Sequence, residues 1–154
     1  MKRIFLLLSF ISFLMACEKT EHSTQTVFIA GLTLGECGGN CHHFFKLDQN
    51  ELFTDNCDFC TVPEEILFQS NPISDEEKIQ LMKDLKESVP TFLVFSEEKV
   101  FGCPDCGDWG AIHVILQDEG QLQHFVLDNN IEGNPPELQE FALLVRETIW
   151  QLNN

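Results

Sequence analysis

The sequence predicts a single α+β domain, in which two helices pack on one face of an antiparallel sheet and loops carry paired cysteines. Short apolar segments separated by turn residues indicate strands. Two longer segments repeat their apolar residues with helical spacing, and the order along the chain is strands, helix, strands, helix. With 154 residues, the chain has room for one such domain but not for two.

The first half of the domain is predicted to contain mainly strands. Residues 26–34 form an almost wholly apolar run that suits a buried strand. Residues 44–47 lead into a turn signal at residues 48–50, and residues 51–54 are predicted to return as the next strand. Residues 65–70 are a further short strand candidate.

A helix is predicted to follow. Ser74 and Glu77 have the spacing of a capping box, with Ser74 as the N-cap. Pro90 ends the helix, because proline lacks the N–H that a helix interior needs. Residues 91–95 and 99–101 are predicted to return to strand. The buried stripe of this helix is predicted to consist of Ile79, Met82, Leu85 and Val89.

Residues 111–117 and 121–127 form the clearest hairpin. A three-residue loop at residues 118–120, with Gly120 at positive φ, is favoured because a two-residue loop would spread the apolar side chains over both faces. This register places His124 on the apolar face, where a hydrogen-bonded core histidine is expected.

The last helix is predicted to start with Asn134 as the cap and Pro135 in the first turn. Its buried stripe is predicted to consist of Leu138, Phe141, Val145, Ile149 and Leu152.

Residues 1–16 are predicted to be a signal peptide. The basic residues Lys2 and Arg3 precede an apolar run of 12 residues, 4–15, which is shorter than the roughly 20 residues that span a bilayer. Residues 14–17, Leu-Met-Ala-Cys, resemble the lipobox of bacterial prolipoproteins. The resemblance implies cleavage before Cys17, a diacylglyceryl group on its thiol and acylation of the new amine, for example with palmitate.

Three segments follow from this assignment: the signal peptide at 1–16, the lipidated Cys17 with a polar tether at 17–25, and the folded domain at 26–154. Acyl chains would anchor the protein on a membrane of the bacterial cell envelope, facing the periplasm or the cell surface. An ordinary secretory signal followed by a chance cysteine is the alternative.

The charge and the motifs limit the possible functions. Nine Lys and Arg against 25 Asp and Glu give a formal charge of −16, which repels phosphate backbones and excludes nucleic acid as a partner. Hydrolase, zinc-protease, Walker and dinucleotide motifs are missing from the sequence. These observations favour a non-enzymatic binding or structural protein, whose partner is an envelope protein or a small ligand.

Six cysteines in the domain form three close pairs, and their first interpretation is structural disulfides, because an exported chain meets an oxidising compartment. Spacing favours local bridges, whereas the chain-entropy model favours long-range ones. The disulfide candidates are Cys37, Cys41, Cys57, Cys60, Cys103 and Cys106.

Other interpretations of the cysteines remain open. Residues 103–107, Cys-Pro-Asp-Cys-Gly, resemble the knuckle of rubredoxins and zinc ribbons, and Cys57 and Cys60 would complete a zinc site with Cys103 and Cys106. The C-x-x-C pairs also resemble thioredoxin-like motifs for thiol–disulfide exchange.

Residues 37–42 are one residue longer than a covalent haem motif, and His42 would be its axial ligand. Residues 35–41 together with 101–106 resemble small envelope lipoproteins of unassigned function. This last resemblance implies no particular activity.

Overall fold

The computed structural model describes residues 27–35, 41–56, 66–104, 106–118 and 120–154. The strands are β1 (Val27–Thr33), β2 (His42–Asp48), β3 (Glu51–Thr54), β4 (Val100–Phe101), β5 (Ala111–Asp118) and β6 (Gln121–Asp128). The helices are α1 (Glu76–Glu87), α2 (Thr91–Phe95) and α3 (Pro136–Asn153). The strands form one sheet in the order β3-β2-β1-β5-β6-β4, in which only β4 and β6 run parallel.

Helices α1 and α3 pack on one face of this sheet, so the predicted α+β fold is confirmed. Phe28 and Leu32 of β1 point to this face, because alternate residues of a strand share a face. Met82 of α1 and Phe141 and Ile149 of α3 join them in the main core. The residues predicted for both stripes lie in this core or pack against it, which removes their apolar surface from water. Helix α1 ends at Glu87, however, so Val89 follows the helix, and the predicted helix end at Pro90 is too late.

Helix α1 begins one residue later than the sequence predicts. Asp75, not Ser74, is the N-cap, and its Oδ1 accepts the backbone N–H groups of Glu77 and Lys78 at 3.0 and 3.2 Å. Both residue types are good caps, so the capping-box spacing alone gives the start of the helix only to within one residue.

Residues 91–95, predicted as a strand, form the short helix α2. The carbonyl of Pro90 accepts the N–H groups of Leu93 and Val94, which closes a helical turn. Leu93 enters the core, whereas Phe92 and Phe95 are exposed. The aromatic and β-branched composition of the segment favours a strand, but this turn takes its backbone hydrogen bonds.

The predicted register of the β5–β6 hairpin is wrong. Asp118 pairs with Gln121, so the connection has two residues, 119 and 120, and Gly120 takes its φ of 81° there. Phe125 consequently enters the main core, and His124 lies on the opposite face, the same one as His113. Both faces of the central strands hold buried apolar residues, so separating apolar from polar side chains is a poor guide to the register.

Asn134 is not the cap of α3, which begins at Pro136 after Pro135. Its side chain instead accepts the N–H of Asp128 at 2.9 Å and donates to the carbonyl of Asp128 at 2.8 Å. This pair of hydrogen bonds fastens the end of β6 to the start of α3.

The second face of the sheet is partly covered by residues 66–68. Ile66 and Phe68 pack against Ile29 and Phe44. The strand predicted at 65–70 is reduced here to an isolated bridge between Asp55 and Phe68, and residue 65 lies outside the described residues.

Candidate functional site

A pocket of about 400 Å³ lies on the sheet face opposite α1 and α3. Its polar lining consists of Thr33 of β1, His42 of β2 and His113 of β5, and we call it the histidine pocket. The register brings these residues together, because Thr33 pairs with both His42 and Ala111, and His113 is two residues from Ala111. Apolar lining comes from Leu34, Pro104, Ala111 and Val126.

A chain of hydrogen bonds runs from β1 to β6 beside this pocket. Thr33 Oγ1 accepts the N–H of Ala111 at 3.2 Å and lies 3.1 Å from His113 Nε2. His113 Nδ1 lies 2.9 Å from His124 Nε2, and the planes of the two rings are nearly parallel, at 21°. The chain therefore joins three strands of the sheet through side chains.

The distances favour one direction of hydrogen bonding along this chain. The Thr33 hydroxyl can donate to His113 Nε2 at 3.1 Å or to the Ala111 carbonyl at 3.5 Å, and the shorter contact is the stronger one. Nδ1 is then the protonated nitrogen of His113, and it donates to His124 Nε2. Every atom in the chain is satisfied with a neutral His113.

Burial keeps the imidazoles of the pocket uncharged. His113 is 6% exposed and His42 is 7% exposed. Burial, and next the imidazoles of His124 and His42, lower the pKa of His113 from 6.5 to about 3. Burial also lowers the pKa of His42. At neutral pH the polar wall of the pocket is therefore a set of neutral hydrogen-bonding groups.

Gly31 allows the rings beside the pocket to pack closely. It lies between Phe44 of β2 and His113 of β5 in the sheet register. A Cβ at position 31 would overlap the ring of Phe44. The Phe44 ring occupies this space and contacts the ring of His113, with 5.4 Å between centroids.

Disulfide-bonded cysteines directly precede two of the lining residues, Pro104 and His42. Cys103 and Cys106 are joined by a disulfide, with their Cα atoms 5.4 Å apart, and Pro104 inside this turn lines the pocket. The N–H of Cys103 donates to Asp128 Oδ2 at 3.0 Å, which holds the turn against the end of β6. Cys41, directly before His42, is disulfide-bonded as well.

The structure joins Cys103 to Cys106 by a local bridge, at a point where the sequence left local and long-range pairing open. The other disulfide candidates Cys37, Cys57 and Cys60, and the lipidation candidate Cys17, lie outside the described residues. The described part of the chain contains no group of three or more His, Cys, Asp or Glu side chains placed to hold a metal ion.

The sequence indicates His42 as a haem-ligand candidate and predicts His124 as a core residue, but no motif joins these two residues with Thr33 and His113. The available signal was the position of His113 and His124 on the two strands of one hairpin. With a two-residue connection, His113 is opposite Val126 and His124 is opposite Ile115, so the two histidines become diagonal neighbours on one face.

Comparisons with protein families, with curated proteins and with solved structures found no match to this chain. In the ranges that the structure covers, no helix has the length and apolar character required to cross a membrane.

Proposed function

We propose that this protein is a lipid-anchored protein of the bacterial cell envelope, whose disulfide-stapled domain binds a small ligand in the histidine pocket. The observation that carries the proposal is the pocket itself, a concave site of about 400 Å³ with an apolar lining and a few buried polar groups. Small-molecule sites typically have this composition and a volume of roughly 300–1,000 Å³.

The polar residues of the pocket lie on a sheet face whose other buried residues are mainly apolar. Burying a polar group costs free energy that hydrogen bonds only offset. Farther along the same face, Ile29 and Ile115 supply ordinary apolar packing. A threonine and two histidines at the pocket end of this face would offer hydrogen-bonding groups to a ligand, which supports the proposal.

Catalysis is a weaker interpretation of the same residues. The order of Thr33, His113 and His124 is that of a nucleophile, a base and a residue that orients the base. A general base works best when its pKa is close to the working pH. The pKa of His113 is lowered to about 3, so this imidazole is a poor proton acceptor for the Thr33 hydroxyl at neutral pH.

The zinc and thiol-exchange alternatives lose support at the Cys103–Cys106 turn. Zinc binds thiolates, and these two sulfur atoms are joined to each other in a disulfide. Exchange motifs gain reactivity from a helix that starts at the cysteines. Residues 106–110 contain no helix and lead directly into β5.

Membrane fractionation and intact-mass measurement test the anchor. The wild-type protein should be found in membranes as a processed, lipid-bearing chain, and Cys17→Ser should remain unprocessed or become soluble. Ser23→Ala, in the predicted tether, should behave as wild type. A processed Cys17→Ser protein that remains in the membrane fraction would show that Cys17 is not the anchor.

Mass and metal analysis of the purified mature protein test the staples. Three disulfides lower the unreduced mass by six hydrogens relative to the reduced chain, with no metal bound. Four free thiols with one zinc per chain would replace the proposal with the zinc site.

A further inference from the structure

The charge of the histidine pocket restricts what it can bind. Among the described lining residues there is no Asp, Glu, Lys or Arg. The polar groups are the hydroxyl of Thr33 and the imidazoles of His42 and His113, and both imidazoles are more than nine-tenths buried. The described part of the lining therefore offers a ligand only neutral groups.

Two ionisable groups at the β6 end of the sheet have partners of their own. Asp128 is opposite Ala111 in the sheet, and its carboxylate accepts the N–H groups of Cys103 and Asn130 at 3.0 and 2.8 Å. Lys99, which precedes β4, places its ammonium group 4.2 Å from the centroid of the Phe125 ring and donates to the Ser96 carbonyl. Neither residue belongs to the described lining of the pocket.

A charged ligand would therefore lose hydration without meeting an opposite charge from the described lining, which is unfavourable for a buried charge. The net charge of −16 adds repulsion for an anion. A cation would be attracted to the protein surface, but inside the pocket it would lose hydration without meeting a carboxylate from the described lining.

The hydrogen-bond chain suits a ligand group that can both donate and accept. Thr33 Oγ1 accepts the N–H of Ala111 and, in the arrangement with the 3.1 Å contact, donates to His113 Nε2. If the ring proton of His113 and that of His124 each move to Nε2, both hydrogen bonds of the chain reverse their direction. No net charge is created by this change of tautomer. The pocket can then present either an acceptor or a donor at Thr33, which matches a hydroxyl or an amide group.

We infer that the histidine pocket binds an uncharged small molecule that has an apolar body and a hydroxyl or amide group, recognised at the Thr33–His113 end of the chain. This inference rests on the proposed function, because it names the class of ligand for the same pocket.

Matched probes of different charge test the inference on the full mature chain. Each set contains a primary alcohol, a carboxylate and an amine on one aromatic body, with phenyl, indolyl and naphthyl bodies. Binding is measured by NMR, from the changes in the chemical shifts of the backbone amides that border the pocket. The alcohol should bind at least tenfold more tightly than the carboxylate and the amine of its set, because an unpaired buried charge costs more than the about 1.4 kcal/mol that corresponds to tenfold.

Variants locate the binding. Val126→Trp should fill the pocket and abolish the shifts, whereas Leu122→Trp, on the same strand and face but 48% exposed and not part of the lining, should leave them unchanged. Thr33→Val should weaken alcohol binding about tenfold, and Thr54→Val on β3 is its matched control. The amide spectrum of each variant verifies that it folds.

The outcomes separate the inference from the proposed function. A carboxylate or an amine that binds as well as its alcohol would overturn the inference and leave a ligand pocket in place. Binding that survives Val126→Trp, or the lack of any shift with all nine probes, would overturn the histidine pocket as a ligand site and the inference with it.

Discussion

Acidification should destabilise this protein through His113, and replacing that residue should remove part of the effect. The pKa of His113 is about 3 in the folded protein and about 6.5 in an unfolded chain. Between these values the unfolded chain binds a proton that the folded protein does not. The free energy of unfolding therefore falls as the pH is lowered from about 6.5 towards 3.

The size of the effect follows from the difference between the two pKa values. One proton changes the free energy of unfolding by about 1.4 kcal/mol per pH unit. Over the whole interval the loss approaches about 5 kcal/mol, which is comparable with the total stability of many domains of this size. Because His113 is 6% exposed, solvent screening removes little of this penalty.

Urea unfolding at a series of pH values, followed by circular dichroism, measures the effect. Between about pH 6 and pH 4, the free energy of unfolding of His113→Gln should change less steeply with pH than that of wild type. The difference in slope should correspond to at most one proton, whatever the stability of the variant at neutral pH. His22→Gln, in the predicted tether, is the control because it removes no imidazole from the pocket. Equal slopes for wild type and His113→Gln would mean that the folded protein protonates His113 normally, and the burial argument would be wrong.

Three substitutions test the packing and the hydrogen bonds of the fold, each by its change in the free energy of unfolding in urea. Gly31→Ala should lower the free energy of unfolding by about 1–3 kcal/mol. The double variant with Phe44→Leu should recover part of this loss if overlap with the Phe44 ring is the cause. Asp75→Ala should lower the free energy of unfolding by about 1 kcal/mol, whereas Ser74→Ala should have little effect. A larger loss for Ser74→Ala than for Asp75→Ala would indicate that Ser74 is the N-cap. Asn134→Ala should cost about 1–3 kcal/mol because Asp128 loses two hydrogen bonds, and an unchanged stability would mean that solvent replaces them.

Local patterns predicted those elements whose formation depends on residues close in sequence. The turn after β2 and the stripes of α1 and α3 follow from spacing that is visible along the chain. The local pattern gave a wrong prediction for residues 91–95. Their composition favours a strand, but a helical turn that begins at the Pro90 carbonyl forms instead. A choice of this kind depends on which partner the backbone finds in three dimensions.

The histidine pocket could not be predicted because its residues are distant in the sequence and meet through the register of the strands. Thr33 and His113 are 80 residues apart, and their contact requires the pairing of β1 with β5. His124 joins them only when the hairpin connection has two residues. An error of one residue in that connection turns His124 to the opposite face, which is the error that the sequence prediction made.

The border of the sheet at β6 has a consequence for neighbouring molecules. Strand β4 covers β6 only beside Val126 and Leu127. Next to this short strand, the ammonium group of Lys99 lies over the ring of Phe125 and donates to Gln123 at 3.4 Å. A strand of another molecule that paired with this edge would have to desolvate that ammonium group. Lysines at edge strands oppose the pairing of strands from different molecules in this way. If lipid chains on Cys17 crowd many copies onto one bilayer, this lysine helps each copy to remain separate instead of growing into a shared sheet.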